Sequence, residues 1–294
     1  MNKLITANLL RIRKSKSFWG GLVFMVLMAY FVAYQRYYSA EMYQIDYILD
    51  NTFFTGAIFG SFALAIFCSL YFGTEYSEGT MRNKVIAGHT RNTIYLANLT
   101  AASIVAIVYS TVFFLTHLGF GFILEGRFVL TLGDLLLLAF SVYMLLLSMA
   151  GIYTLIGMLV QNKSIVSLTS ILTVVFLVLL AMYSLNKLTE PEMIPAYTSW
   201  NGSPFYEIDT PNPEYVQGTR RKVHELILQT TPGGQMLQFT SIGAFDLVEP
   251  ERLPIYSGSL LLITIGLGIP LFYKKRLKNK EIPWRFGSIW LESF

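Results

Sequence analysis

The fold is decided by residues 135–186, which read LLLLAFSVYMLLLSMAGIYTLIGMLVQNKSIVSLTSILTVVFLVLLAMYSLN and contain one charged side chain, Lys163. An α-helix needs about 20 apolar residues to cross the hydrocarbon core of a bilayer, so this stretch is long enough for two spans. Residues on both sides of Lys163 are apolar around the whole helix rather than alternately, which excludes membrane-spanning β-strands. Gln161, Asn162 and Lys163 leave room only for a short turn. The stretch therefore predicts a tight antiparallel hairpin of two transmembrane helices.

Four further uncharged stretches have lengths suited to a membrane span, namely residues 17–35, 51–74, 92–124 and 253–273. Only 14% of the 294 residues are charged, whereas about a quarter are charged in an ordinary soluble domain. Such a chain cannot cover a water-facing surface with charge. We therefore predict an all-α, polytopic membrane protein with six transmembrane helices.

The Lys and Arg residues are distributed unequally across the membrane. Six spans place both termini on one side, and fifteen of the 22 Lys and Arg residues fall on that side. The positive-inside rule therefore predicts cytoplasmic termini. The net charge of +4 averages a basic face and an acidic face, so it gives no indication of a nucleic-acid partner, and membrane lipids are the expected surroundings.

The spans divide the chain into five predicted parts. They are an interfacial amphipathic helix at 1–17, transmembrane helices one to five at 18–184, an extracellular segment at 185–254, transmembrane helix six at 255–273 and a cytoplasmic tail at 274–294. In the first part Ile5, Leu9 and Ile12 recur at helical spacing among Lys and Arg residues, which is typical of a helix lying in the headgroup layer. The alternative is a basic tail that only fixes topology.

The extracellular segment between helices five and six begins with several prolines and aromatic residues, which favour extended or turn-rich structure over a helix. Residues 219–230 then predict one helix, and residues 235–239 predict a second, short helix at the outer interface. The segment has two interpretations that the sequence leaves open. It is either a lid that receives or releases substrate or a cap that stabilises a dimer.

The chain lacks the motifs of the common enzymes. It contains no G-x-x-x-x-G-K-[ST] sequence for gripping ATP, and no H-E-x-x-H or G-x-S-x-G sequence. Within the six uncharged stretches, His117 is the one side chain that titrates near neutrality, and it either lines a substrate path or bonds a hydroxyl such as Ser110 or Thr116. Cys68 is the only cysteine and is interpreted as a packing residue. We expect no enzyme activity, bound cofactor or metal in this chain.

The loop after the second span, residues 74–97, reads TEYSEGTMRNKVIAGHTRNTIYLA and is too long for a turn. Ser77 can cap a helix there, and Glu78 and Arg82 stand at i and i+4 on one predicted helical face. Gly88 can end this helix in a left-handed conformation. Thr90 then serves as the N-cap of the third span.

These signals predict a short charged helix held between two membrane helices. Such a helix is shaped to sit in a groove of another protein and to pass motion to both spans. The alternative interpretation is a solvated loop whose charges only enforce topology.

The same loop contains E-x-x-x-G-T-x-R-x-K, then G-x-[ST]-R and I-Y-L-x-x-L, formed by Glu75, Gly79, Thr80, Arg82, Lys84, Gly88, Thr90, Arg91, Ile94, Tyr95 and Leu96. In this motif it resembles the loop of type-2 ABC transporter permeases, the membrane subunits of bacterial export systems. The resemblance implies a bacterial cell-membrane permease that pairs with a second permease and with two separate ATPase subunits, which bind ATP and Mg²⁺. It also implies a coupling role toward the ATPase for Glu75, Glu78, Gly79, Thr80, Arg82, Lys84, Gly88, Thr90 and Arg91.

The predicted function is therefore a permease subunit of an ATP-driven exporter, in which spans one, two and five rearrange to open an apolar path. The long extracellular segment is similar to that of permeases for antimicrobial peptides, including lantibiotics, or for lipid-like substrates. Aromatic and Met side chains in the spans would suit an amphipathic or hydrophobic cargo, although any membrane helix contains such residues: Phe53, Phe54, Phe59, Phe62, Phe67, Tyr71, Met144, Met149 and Phe176. The alternative is a non-transporting sensor or scaffold that binds a ligand through its extracellular segment.

Overall fold

A computed structural model describes residues 2–44, 46, 48–124, 126–198, 206–240 and 250–275. Its helices are α1 (Asn2–Lys14), α2 (Lys16–Tyr43), α3 (Asp50–Phe53), α4 (Gly56–Ser77), α5 (Thr80–Ile86), α6 (Arg91–Leu124), α7 (Leu132–Leu159), α8 (Lys163–Thr189), α9 (Gly218–Thr230), α10 (Pro232–Thr240) and α11 (Leu253–Lys274). Two strands, β1 (Met193–Thr198) and β2 (Tyr206–Pro211), pair antiparallel. The predicted tail beyond residue 275 lies outside the described residues.

Six helices are long and apolar enough to cross a membrane, namely α2, α4, α6, α7, α8 and α11, so the predicted all-α, six-span fold is confirmed. Helix α4 lies at the centre of the bundle. Of the residues in its most apolar 18-residue stretch, 72% are buried, compared with 17% for the same length of α2 and 22% for α8 and for α11. The outward faces of these three peripheral helices are therefore left for lipid or another subunit.

Small residues let the neighbouring helices approach α4 closely. A Cβ atom added at Gly60 would lie 2.8 Å from Leu146 Cδ1 of α7, which is closer than carbon atoms pack. Close backbone approach at small residues is the usual way in which membrane helices gain packing energy. The small residues of α4 thus explain why this helix occupies the core.

The bundle has two ends, which we name by their charge. The basic face carries α1, α5 and the α7–α8 connection, and the acidic face carries the β-hairpin and α9. The α7–α8 connection is short, as predicted, and Asn162 caps α8 by accepting hydrogen bonds from the backbone N–H groups of Ser164 and Ile165. Beyond that turn, α8 packs mainly along α4 rather than along α7.

The N-terminal helix is shorter than predicted and packs one side against the bundle. It ends at Lys14, and its buried residues are Leu4, Asn8 and Ile12. Of the predicted apolar stripe, Ile12 is buried and Leu9 is 37% exposed, so the placement of this helix in the headgroup layer stays a prediction. The buried side of α1 packs against α6, where the polar Asn8 has buried partners.

The segment on the acidic face differs from its prediction in two ways. Its start is extended, as predicted, but it also pairs as the antiparallel hairpin of β1 and β2, which the sequence did not predict. Helix α9 has nearly the predicted bounds, whereas α10 begins at Pro232, an imino acid suited to the first turn of a helix. Instead of lying at the interface, α10 packs into the bundle against α8, where a Cβ on Gly233 would lie 2.0 Å from the Leu177 carbonyl oxygen.

Candidate functional site

The start of the 74–97 loop is an abrupt change of direction at Gly79. Helix α4 continues through Ser77, and the backbone N–H of Glu78 still donates to the Thr74 carbonyl at 3.0 Å. Gly79 then takes a left-handed conformation, with φ +73°, and α5 begins at Thr80. The predicted N-cap at Ser77 and the predicted Glu78–Arg82 face are therefore wrong, because Glu78 ends α4 while Arg82 lies in α5.

The end of the loop follows its prediction. Gly88 is left-handed, with φ +84°, and its N–H donates to the Val85 carbonyl at 3.0 Å, while the N–H of His89 donates to the Lys84 carbonyl at 3.2 Å. This pair of bonds is the Schellman ending of a helix. Thr90 Oγ1 then accepts from the Thr93 N–H at 3.3 Å and caps α6. The predicted ending of the helix at Gly88 and the predicted N-cap at Thr90 are confirmed.

Glu75 is fully buried near the end of α4, where an unpaired carboxylate would be strongly unfavourable. Two cations neutralise it. Nη1 of Arg11 in α1 and Nζ of Lys84 in α5 both lie 2.5 Å from the same oxygen, Oε1. The other oxygen, Oε2, accepts a hydrogen bond from Nδ2 of Asn98 in α6 at 2.8 Å.

Two buried amides complete this arrangement, which we call the Glu75 cluster (Asn8, Arg11, Glu75, Lys84 and Asn98). Nδ2 of Asn8 donates to Oδ1 of Asn98 at 2.8 Å, and Nζ of Lys84 donates to Oδ1 of each amide at 3.1 Å. Burial lowers the pKa of Lys84, and the adjacent carboxylate of Glu75 partly offsets that effect. The cluster joins α1, α4, α5 and α6 at one point.

The opposite side of α5 is exposed. Met81 is 1% exposed and packs into the core, whereas Ile86 is 70% exposed. Arg82 and Asn83 are exposed beside Ile86. Helix α5 therefore has an inner side fixed by packing and by the Glu75 cluster, and an outer side with a cation, an amide and an apolar side chain available for contact.

Arg91, at the start of α6, ties this loop to the last span. Its Nη1 donates to the carbonyl oxygens of Phe272 and Tyr273, each at 3.1 Å, and to that of Lys275. These carbonyls end α11, where a cation also interacts favourably with the helix dipole. Lys275 in turn donates to the Met158 carbonyl at 2.9 Å, near the end of α7. Burial, reinforced by the nearby charge of Arg91, lowers the pKa of Lys275 to about 8.

Comparison with known protein families matches residues 4–184 to the family described as ABC-2 family transporter protein. That match covers more than half of the chain and includes the Glu75 cluster and α5. The chain belongs to the ABC-2 transporter family. It is thus a multi-pass permease subunit of an ABC transporter, a family whose members normally work with an ATPase subunit. Comparison with curated proteins gives no match.

The structure of this ABC-2 permease brings some of the predicted site residues together and separates others. Glu75 and Lys84 meet in the cluster, and Arg91 caps α11. Gly79, Gly88 and Thr90 shape the backbone, and Thr80 is the first residue of α5. Glu78 and Arg82 are exposed and do not enter the cluster.

Sequence reasoning missed three members of the cluster. Arg11 is predicted only as one of the fifteen Lys and Arg residues that set the orientation, and the sequence patterns assign no role to Asn8 or Asn98. The available signal was Asn98, a side-chain amide within the apolar stretch 92–124, where an amide needs hydrogen-bonding partners.

His117 has buried partners other than the hydroxyls suggested from the sequence. Its Nε2 lies 3.1 Å from Oγ1 of Thr52, and its Nδ1 lies 3.1 Å from the Ala29 carbonyl oxygen. The hydrogen-bonding interpretation is therefore confirmed with different partners. Several aromatic and Met residues considered for cargo binding instead belong to the buried core, namely Phe53, Phe54, Phe67, Tyr71 and Met149.

Proposed function

We propose that this ABC-2 permease exports an amphipathic or hydrophobic substrate, and that α5 is the coupling helix that receives the motion of a separate ATPase subunit. The supporting observation is the two-sided character of α5. Its outer side offers Arg82, Asn83 and Ile86 for docking, while Lys84 on its inner side is bound to buried Glu75. The partner subunit would bind ATP and Mg²⁺ and carry out hydrolysis.

The Glu75 cluster supports a mechanical role for this loop. Removing one partner of a buried ion pair lowers the free energy of unfolding of a protein by about 3–5 kcal/mol. A force on α5 therefore moves the ends of α4 and α6 with it rather than detaching Lys84. Arg11 extends the same motion to α1, and Arg91 extends it to the end of α11. ATP-driven displacement of α5 would thus reach the spans that open the path.

The orientation and assembly follow from the same proposal. The basic face would be cytoplasmic, with both termini inside a bacterial cell membrane, because the ATPase and its ATP are cytoplasmic. A second permease, identical or related, would pack on the outward faces of the peripheral spans. Exposed apolar side chains on α2 and α8 provide such faces, including Val23, Leu27, Phe31, Leu168, Leu172 and Phe176. Peptides, including antimicrobial peptides, drugs and lipid-like molecules fit the proposed substrate class.

Co-purification tests this function. The tagged chain, extracted from its native membrane, should retain an ATPase subunit in equal number, and the reconstituted pair should hydrolyse ATP while the permease alone shows no hydrolysis. Arg82→Glu or Ile86→Ser should weaken ATPase association about tenfold or more, by removing a docking contact, without impairing insertion. Arg13→Glu is the matched control, because Arg13 is an exposed cation of the same face outside α5.

If the protein were a sensor or scaffold, co-purification would give a different result. Such a protein would bind a ligand through the segment on the acidic face and would not retain an ATPase in equal number. Normal ATP hydrolysis and transport in Arg82→Glu would contradict the coupling role of α5. Gradient-driven flux by the reconstituted permease alone would instead indicate a secondary carrier or channel.

A further inference from the structure

A cavity of about 430 Å³ lies between α2 and α4 toward the acidic face. Val32, Ile58 and Phe59 form its apolar wall, and Arg36, Ser39 and Thr55 contribute polar groups. This volume falls within the range of about 300–1,000 Å³ that small-molecule sites occupy. The cavity therefore combines an apolar wall with a cationic group at one end of a membrane span.

The position of Arg36 along α2 fixes the depth of this cavity. Arg36 lies 20 residues after Lys16, where α2 begins, and a helix rises by about 1.5 Å per residue, or about 30 Å over this distance. That is roughly the thickness of the hydrocarbon core. With Lys16 at one boundary of the core, Arg36 lies at the other, which is the depth of charged headgroups in the far leaflet.

The guanidinium of Arg36 is incompletely paired. Its Nη2 donates to the Asp46 carbonyl oxygen at 3.1 Å, but its Nε is buried and has no hydrogen-bond partner. Within the part of the chain that the structure describes, no carboxylate forms a salt bridge with Arg36. A guanidinium offers five N–H donors in a planar fork that matches phosphate and carboxylate groups. The cavity is thus lined by a cation that no carboxylate among the described residues neutralises.

We propose that this cavity binds the anionic headgroup of an amphiphile, with a phosphate or carboxylate paired to Arg36. Val32 stands four residues before Arg36 on the same face of α2, so an attached hydrocarbon chain would follow the apolar wall away from the headgroup. Identification of this ligand as the transported substrate rests on the proposed function. The binding site itself belongs to this chain alone and needs no ATPase.

Equilibrium binding to the purified full chain in neutral detergent tests the site. The probe is radiolabelled dioctanoyl phosphatidic acid, with dioctanoylglycerol as the uncharged equivalent and inorganic phosphate as the free anion. We expect phosphatidic acid to bind about tenfold or more tightly than either of these, because each lacks one of the two features that the cavity recognises. Displacement by inorganic phosphate at the same concentration as phosphatidic acid would overturn the amphiphile assignment.

Two variants probe the cavity independently. Arg36→Gln should weaken phosphatidic acid binding about tenfold or more, because it removes a charged hydrogen-bonding partner. Arg220→Gln makes the same charge change at an exposed position of α9 and should alter binding by less than about twofold. Ser39→Leu fills the cavity and should also weaken binding, whereas Ser259→Leu, at an exposed position of α11, should not.

The outcomes separate this inference from the proposed function. If both Arg36→Gln and Ser39→Leu bind phosphatidic acid as the wild type does, the proposed binding site is wrong, even if the chain couples to an ATPase. Binding that depends on both residues supports the site, even if no ATPase co-purifies. In that second case the export function fails while the amphiphile site stands.

Discussion

Nζ of Lys84 lies 2.5 Å from Oε1 of Glu75, across the glycine turn that separates α5 from α4. The two residues are close in sequence, but Glu75 belongs to a membrane span and Lys84 to the exposed loop. Because the carboxylate is fully buried, the pair fixes α5 to the core rather than to the surface. A mobile docking loop would not need such a bond, whereas a helix that transmits force would.

The first prediction concerns the carboxylate of the Glu75 cluster. Glu75→Gln leaves Arg11 and Lys84 without their shared anion in a buried setting, and we expect the free energy of unfolding to fall by about 3–5 kcal/mol. Thermal or denaturant unfolding in detergent measures the change. Glu78→Gln removes a carboxylate from an exposed neighbouring position and should shift stability by less than about 0.5 kcal/mol.

A double variant distinguishes an ion pair from simple packing. Lys84→Met in the Glu75→Gln background removes an uncompensated buried cation, so it should restore part of the lost stability. The expected coupling between the two changes is about 0.5–3 kcal/mol. Additive losses would show that Glu75 and Lys84 act independently, and that their ion pair does not hold α5 to the end of α4.

A second prediction concerns the left-handed residue that ends α5. Gly88→Ala forces a Cβ atom into a backbone with φ +84° and should destabilise the protein by about 1–2 kcal/mol. An added Cβ there meets no atom within 4 Å, so the effect would come from the backbone alone. Gly20→Ala is the control, because Gly20 also has open space but lies inside α2, where Ala favours the helix. Equal melting temperatures for the two variants would contradict this account.

Local signals in the sequence were sufficient to predict the six spans, the left-handed Gly88 that ends α5 and the N-cap at Thr90. Each of these features depends on residues that are adjacent in the chain. Local signals failed at Ser77 because whether α4 stops there depends on its packing rather than on a capping side chain. The partnership of Arg11 with Glu75 joins residues 64 positions apart, and no local pattern reports which helices become neighbours. The burial of α10 was missed for the same reason.

A third prediction tests the proposed orientation. The test uses a Cys68→Ala chain with a single cysteine placed at Asn83 or at Thr219, both of which are exposed. The two cysteines should react differently with a membrane-impermeant thiol reagent applied to intact cells. Thr219 lies on the acidic face and should be labelled, whereas Asn83 lies in α5 and should be labelled only after the membrane is permeabilised. Labelling of Asn83 in intact cells would reverse the topology and remove α5 from reach of a cytoplasmic ATPase.

The last prediction is a pH dependence that arises at Lys275. Burial and the charge of Arg91 lower its pKa from 10.5 to about 8 in the folded protein. Below pH 8 the ammonium is charged in both the folded and unfolded states, so burial of that charge lowers the free energy of unfolding. Between the two pKa values the folded protein has released the proton and the unfolded chain still holds it, so stability from this group rises with pH.

The variant Lys275→Met isolates this effect, because the other titrating groups are shared with the wild type. The melting temperature of the wild type minus that of Lys275→Met should increase from about pH 7 to about pH 10. Lys274→Met removes the exposed neighbouring amine, so its melting temperature should change in parallel with that of the wild type over the same pH range. A difference that stays constant for Lys275→Met would show that this ammonium is not buried between the ends of α7 and α11.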